Sequence, residues 1–314
     1  MWNLIFFLLC ALLGASLKTE AAVPNVVVTI KPIHSLVVGI MDGVKMPALL
    51  MEGERSPHTQ PLTPSEVRQI AASRVVIWVG PSYETPLRRV MGSLKKYQQV
   101  ITLLEQPGIR LYRIREGGLW GNHDYCGDHC EGPSDQDTDD SHSIDGHLWL
   151  DPYNAKVIVK AVARKLSALD PENKKIYFAN SQKLMKRLED LDRELKILLD
   201  PVRNKPYVVY HDGMQYFDRH FKTKGIGALI GGGHYGINAQ HFLRISQYIR
   251  THKIRCIFTE PQFPTDKIDS LMGKSGTHIE TLDYLGIGLK ADEHAYFLMM
   301  RRLAHGLLTG LKKP

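Results

Sequence analysis

Apolar residues run unbroken for ten positions from Leu4 to Leu13, then give way to Gly14, Ala15, Ser16 and Thr19-Glu20-Ala21-Ala22. A helix needs about 20 apolar residues to span a bilayer, so the run is too short for a membrane span. Its length and the small residues after it predict a signal peptide over residues 1–22, cut near Ala21 or Ala22. The mature protein is therefore expected to be exported and periplasmic. Beyond this segment the pattern changes to short β-branched runs separated by amphipathic stretches. Val26–Ile30, Ala48–Met51, Val75–Val79 and Gln99–Leu103 read as strands, with helices expected over 34–41, 67–72 and 84–94. Thr63-Pro64-Ser65-Glu66 carries a helix start: Thr63 or Ser65 can cap, Pro64 suits the first turn and Glu66 favours the dipole.

Periodicity lapses over Gly117–Gly146, which holds six residues of Gly and Pro before Gly146 and eight acidic residues from Asp124 to Asp145. Such a stretch cannot bury enough apolar surface to offset its chain entropy, and a mobile loop is expected. From Asp151 the spacing turns helical for about 50 residues. Asn154–Leu169 is one amphipathic helix, with Asp170-Pro171-Glu172 expected to cap the next. Ile176, Phe178, Leu184, Leu188, Leu191, Leu195 and Leu198 then form an apolar seam ending at Asp200-Pro201. A helix of about 28 residues would be about 42 Å long, more than one lobe's diameter. Its plainest use is a rigid spine between two lobes; a coiled-coil dimer helix is the alternative.

The strand and helix cadence then returns. Strands are expected at Tyr207–Tyr210, Ile226–Ile230, Ile254–Thr259 and Thr277–Leu282, and helices over 213–221, 239–251, 265–274 and 292–309. The fold class predicted is α/β: two lobes with mainly parallel sheets joined by one long rigid helix. The N-terminal lobe would occupy residues 23–165, with the acidic loop at 117–146, the spine 166–200 and the C-terminal lobe 201–314. A ligand is expected in the crevice, at the carboxyl ends of the strands.

Composition changes this picture little. Of the 314 residues 43% are hydrophobic and 23% charged, enough for two real cores. The net charge of +7 raises nucleic-acid binding, but the basic residues are scattered and show no stripe with interleaved aromatics, so no nucleic-acid partner is expected. Lys156, Lys160, Arg164 and Lys165 read as a solvated helix face, with an acidic partner surface still open. Of the four cysteines, Cys10 falls in the signal, Cys126 and Cys130 are close enough to pair or share a metal, and Cys256 sits in a strand pattern as a buried free thiol.

Candidate chemistry concentrates at four strand ends or loops: His58 in Ser56-Pro57-His58, His147 in Asp145-Gly146-His147, His211 in Tyr210-His211-Asp212, and Asp283 in Leu282-Asp283-Tyr284. Three imidazoles and a carboxylate suit Zn²⁺ better than magnesium or calcium. The acidic loop adds His123, Cys126, His129, Cys130 and His142 with no Lys or Arg between them, an auxiliary metal collector or a plain solvated linker.

Val26-Val27-Val28-Thr29-Ile30-Lys31-Pro32-Ile33-His34-Ser35-Leu36, Pro57-His58, His147-Leu148-Trp149-Leu150-Asp151-Pro152, His211-Asp212 and Thr259-Glu260-Pro261-Gln262-Phe263 occur in that order. In combination they resemble the metal-binding substrate-binding proteins of ABC transporters, and among these the periplasmic high-affinity zinc-binding type, from about Val26 to the C-terminus. The resemblance implies two α/β lobes joined by one long helix, with metal in the crevice on His58, His147, His211 and Asp283. A His at the third position is the zinc-type trait, where manganese members carry Glu. It also implies an inner-membrane ABC permease as partner and zinc as transported ligand, with the protein acting as a monomer and not as an enzyme. The chain departs from the family pattern in the Cys126/Cys130 pair, in Cys256 without a partner, and in Gly231-Gly232-Gly233-His234 after the third ligand.

Two rival classes remain. A secreted zinc-dependent hydrolase would keep water at the fourth position and need a base, for which Asp212 and Glu260 are the candidates. A manganese-binding receptor or a surface adhesin of the same fold would bind another ion or a host ligand. No His-Glu-x-x-His motif is present.

Overall fold

The computed structural model describes residues 23–121, 144–230, 239–263, 268 and 276–313. The predicted signal, the predicted helix over 265–274 apart from residue 268, His234, and His123, Cys126, His129, Cys130 and His142 lie outside the described residues. Among the described residues no helix is long and apolar enough to cross a membrane.

Two four-stranded parallel sheets form the lobes. The first has the order β2-β1-β3-β4, from β1 (Val26–Val28), β2 (Ala48–Leu49), β3 (Val75–Trp78) and β4 (Gln99–Thr102). The second repeats that order as β6-β5-β7-β8, from β5 (Pro206–His211), β6 (Lys224–Ile230), β7 (Cys256–Thr259) and β8 (His278–Thr281). The central strands are buried on both faces, which is why Val-Val-Val and Val-Val-Ile-Trp read as continuous apolar runs without alternation. In each sheet the order reverses between the first and third strands, and the crevice outside their carboxyl ends is where ligands of open parallel sheets bind.

The helices are α1 (Lys31–Met41), α2 (Pro64–Ala71), α3 (Arg88–Gly92), α4 (Pro152–Leu169), α5 (Lys174–Leu199), α6 (Gln215–Phe221), α7 (Ala239–Thr251) and α8 (Ala295–Lys312). Thr63 caps α2 in a complete capping box with Glu66. The helix expected over 84–94 is broken: Pro86 starts a 3-10 turn at Thr85–Leu87, and only five residues of α-helix follow.

The spine is α5, 26 residues and so about 39 Å long. Its buried seam differs from the expected one. Tyr177, Leu184, Leu188, Leu191, Leu195 and Leu199 face the core, whereas Phe178 is 63% exposed, Ile176 is exposed and Leu198 only half-buried. The 3.6-residue period runs back from Leu184 through Tyr177, which places Ile176 and Phe178 on its flanks. Asp170 does not cap this helix through its backbone. It accepts hydrogen bonds from the Tyr177 hydroxyl (2.7 Å) and the Asn173 amide (2.9 Å) instead. One apolar core runs without a break from Val26 and Val28 through the spine leucines to Tyr207, Phe258 and Leu307. Each of the five buried leucines contributes roughly 1.5–3 kcal/mol, so the lobes share their cohesion.

Polar ties cross between the lobes as well. Lys31 donates to the carbonyls of Gly286 (3.1 Å) and Leu289 (3.0 Å). The Trp149 indole donates to the Tyr284 carbonyl at 3.0 Å, and the Tyr296 hydroxyl to the Trp149 carbonyl at 2.9 Å. Cys256 is a buried free thiol.

Candidate metal centre

His58, His147 and His211 converge. One ring nitrogen from each lies within 4.8 Å of the others, and all three residues are buried. They arrive from three kinds of local structure. His211 is the last residue of β5, at the point where the second sheet's order reverses. His58 stands in the loop after β2. His147 opens the 3-10 turn Leu148–Leu150, which the buried Trp149 plugs into the core between the lobes. Gly146 precedes it because a Cβ there would meet Tyr83 at 2.4 Å.

Each imidazole is held through Nδ1. His58 Nδ1 faces the Tyr83 carbonyl at 3.1 Å, His147 Nδ1 faces Asp145 Oδ1 at 2.7 Å, and His211 Nδ1 faces Glu260 Oε1 in a short contact. Carbonyl and carboxylate oxygens accept, so Nδ1 carries a proton in every ring and Nε2 is the atom left to take a cation or a second proton. Across the crevice the Nε2 atoms of His147 and His211 stand 3.3 Å apart. Two lone pairs at that distance repel unless a cation or a shared proton lies between them. Zinc with bonds of about 2.05 Å in a tetrahedron places its nitrogens about 3.3 Å apart.

The partners of the imidazoles are held in turn. Asp145 Oδ1 also accepts from the backbone N–H of His147 at 2.9 Å, and Glu260 Oε2 accepts from the Gln262 amide at 2.8 Å. Burial works to lower the His211 pKa, but Glu260 outweighs it and the imidazole is held above its usual range. Aromatic rings wall the site: Tyr83 lies 4.3 Å from His58, and Phe263 lies 5.9 Å from His211, between ring centres. Beneath Tyr83, buried Glu84 accepts from the backbone N–H groups of Val79 and Gly80, and burial pushes its carboxyl up to about 7.

The fourth expected donor is placed differently. Asp283 follows β8, but its carboxylate is not among the converging atoms. It turns onto its own loop and accepts from the backbone N–H of Leu285 at 3.0 Å, with those of Gly286 and Ile287 also bonding to it. Burial raises its pKa in spite of these bonds and of nearby Lys31. Asp212, a candidate base for a hydrolase, is gripped on both oxygens by Arg115. Glu260, the other candidate, is engaged by His211.

In the sequence Glu260 stands out as a candidate base, while Asp145 and Tyr83 are not singled out as partners of the histidines. Asp145 had a signal, a carboxylate two residues before a candidate ligand histidine. Tyr83 contributes a backbone carbonyl, which no side-chain pattern discloses.

Two parallel-sheet lobes, a spine helix between them and imidazoles converging in the crevice define a metal receptor of the substrate-binding class. The chain belongs to the ZnuA family: the profile of that family, described as zinc-uptake complex component A, periplasmic, matches residues 26–310. A relative named high-affinity zinc uptake system protein ZnuA, from Brucella suis biovar 1 (strain 1330), is 33% identical with 96% of this chain and 95% of that protein covered. Its namesake from Yersinia pestis is 31% identical, with 91% of each covered. Among solved structures, the periplasmic zinc-binding protein TroA from Treponema pallidum matches with a TM-score of 0.76 over 92% of this chain and 99% of that one. At 21% identity that likeness is one of fold.

Proposed function

We propose that this protein is the extracytoplasmic receptor of a zinc-uptake ABC transporter, capturing Zn²⁺ between His58, His147 and His211 and handing it to an inner-membrane permease. The observation that carries this reading is the pair of Nε2 lone pairs 3.3 Å apart, each ring backed at Nδ1 by a carboxylate. A site arranged so has no stable resting form except with a cation between the imidazoles or a proton on one of them. Metal and protons therefore compete, and zinc binding weakens as pH falls.

Asp283 completes the set when metal is present. A buried carboxylate with a raised pKa gains from a counter-cation, and Asp283 stands one residue from Tyr284, whose ring lies 6.1 Å from that of His211. With four protein donors no position is left for an activated water. Both candidate bases are engaged by other side chains, and we read the protein as a carrier without catalytic turnover. It acts as a monomer, exported on the signal at residues 1–22. The continuous core through the spine favours small local rearrangement over wide hinge closure.

Calorimetric titration of the metal-free mature protein with Zn²⁺ and Mn²⁺, beside a variant lacking residues 122–143, tests this. One tight zinc site that survives the deletion is expected. Loss of that site with the segment, or tighter binding of manganese, would overturn the assignment.

A further inference from the structure

After β4 the chain of the first lobe crosses to the second and is fastened there at several points. The backbone N–H of Tyr112 donates to the Tyr216 hydroxyl at 3.2 Å, and the Gln215 amide donates to the Arg113 carbonyl at 2.8 Å. Arg115 then sets its guanidinium between two carboxylates of the second lobe. Its Nε donates to Asp212 Oδ2 at 2.8 Å, a second nitrogen to Asp212 Oδ1, and Nη1 to Asp218 Oδ2 at 3.0 Å. The same group lies over the Trp120 ring at 3.6 Å. Leu119 packs on Gly227 so closely that a Cβ there would meet its backbone oxygen at 2.7 Å.

Both ligands that face each other across the crevice are reached from this segment. Asp212 follows His211 directly. On the other side Arg113 is bridged to Ile144, and the backbone N–H of Asp145 donates to the Tyr112 carbonyl at 2.9 Å. The Tyr216 hydroxyl donates to the Asp145 carbonyl at 2.8 Å. Asp145 in turn holds His147. We propose that Arg115 is a positioning residue for zinc capture, its two-pronged grip on Asp212 fixing His211 against His147 at the spacing zinc requires. A planar guanidinium bound to both carboxylate oxygens fixes direction as well as distance, which a lysine ammonium cannot do.

Charge alone makes the opposite prediction. Removing a cation close to a site for a dication, and freeing two carboxylates, should tighten zinc binding. The sign of the effect therefore separates positioning from electrostatics. The inference rests on the zinc reading above, and wild-type protein that failed to bind zinc would remove that reading first.

The test compares wild type with Arg115→Lys and Arg115→Met, each checked for folding by circular dichroism. Zinc release is followed with a chromophoric chelator, and site geometry by the visible absorption of bound Co²⁺. Faster release by about tenfold in Arg115→Lys, and by about 10–100-fold in Arg115→Met, is expected, with altered Co²⁺ bands in both. Unchanged release and unchanged Co²⁺ bands in Arg115→Lys, or tighter zinc in Arg115→Met, would overturn the proposal. Should Arg115→Met not fold, with buried Asp218 left without its cation, the lysine variant decides alone.

Discussion

The two lobes share one sheet order yet present their histidines differently. In the second, His211 is the final residue of a central strand, and its orienting partner, Glu260, directly follows the neighbouring strand β7. Strand pairing between β5 and β7 thus places ligand and partner together. In the first lobe His58 stands in the loop beyond the edge strand β2 and leans on the neutral carbonyl of Tyr83. A ligand built into a strand cannot shift without disturbing the sheet, whereas a ligand in a loop can yield. The strand-borne His211 is therefore expected to set the geometry of the site and the loop-borne His58 to adapt to it.

The largest expected effect follows from removing a ligand on each side. Structural zinc sites bind with about 10–16 kcal/mol over four donors, roughly 3 kcal/mol per donor. That is more than a hundredfold in affinity. His211→Ala should lose at least this much and His58→Ala measurably less, because its loop can relax around a water in the vacated position. Competition against a chelator of known affinity gives both values. Equal losses would mean that the loop is as rigid as the strand.

Replacing partners in place of ligands sharpens the contrast. Glu260→Gln keeps an acceptor for the His211 Nδ1 proton but removes the negative charge behind it. Zinc affinity should drop about tenfold, the low end for such outer partners. At His58 the Nδ1 atom faces the carbonyl of Tyr83, so Tyr83→Phe, which leaves that carbonyl in place, should cost less. Isothermal titration at one pH measures the pair, and a Tyr83→Phe loss as large as that of Glu260→Gln would erase the distinction between His211 and His58.

The same contrast explains what could be read before the structure was seen. Both sheets announced themselves, because strands buried on two faces are written as β-branched runs, and the spine because leucines recur from 184 to 195 on one helical face. The three histidines were legible for the same reason: each follows a recognisable run or belongs to a distinctive motif such as His-Leu-Trp-Leu-Asp-Pro. What stayed hidden depends on main chain or on distance. The Tyr83 carbonyl has no residue-type signature. Arg115 and Asp212 are 97 positions apart and meet only because one segment crosses between the lobes. Asp283 lay where expected, but whether its carboxylate faces the crevice or its own loop depends on backbone N–H groups that follow it.

The smallest effect expected lies where lobes and spine meet. His220 on α6 places Nδ1 2.7 Å from Asp151 Oδ1, at the cap of α4, and Nε2 2.6 Å from Asp192 Oδ1, on α5. Both nitrogens can donate only when the ring is an imidazolium. Burial lowers its pKa, but hydrogen bonds to Asp151 and Asp192 outweigh burial and hold it above 6.5. Asp192 is shifted the other way, since bonds from Lys196 and His220 exceed the penalty of burial. A folded-state pKa raised above the unfolded one stabilises fully below pH 6.5, and the contribution is lost as pH rises through the folded value. Urea unfolding of wild type and His220→Gln should therefore differ most at pH 6 and converge toward pH 9, with zinc affinity at neutral pH changed by less than about threefold, well below one kcal/mol. A stability gap that stays constant from pH 6 to 9 would show a neutral ring, and the junction would then owe its strength to packing around Phe221 in place of charge.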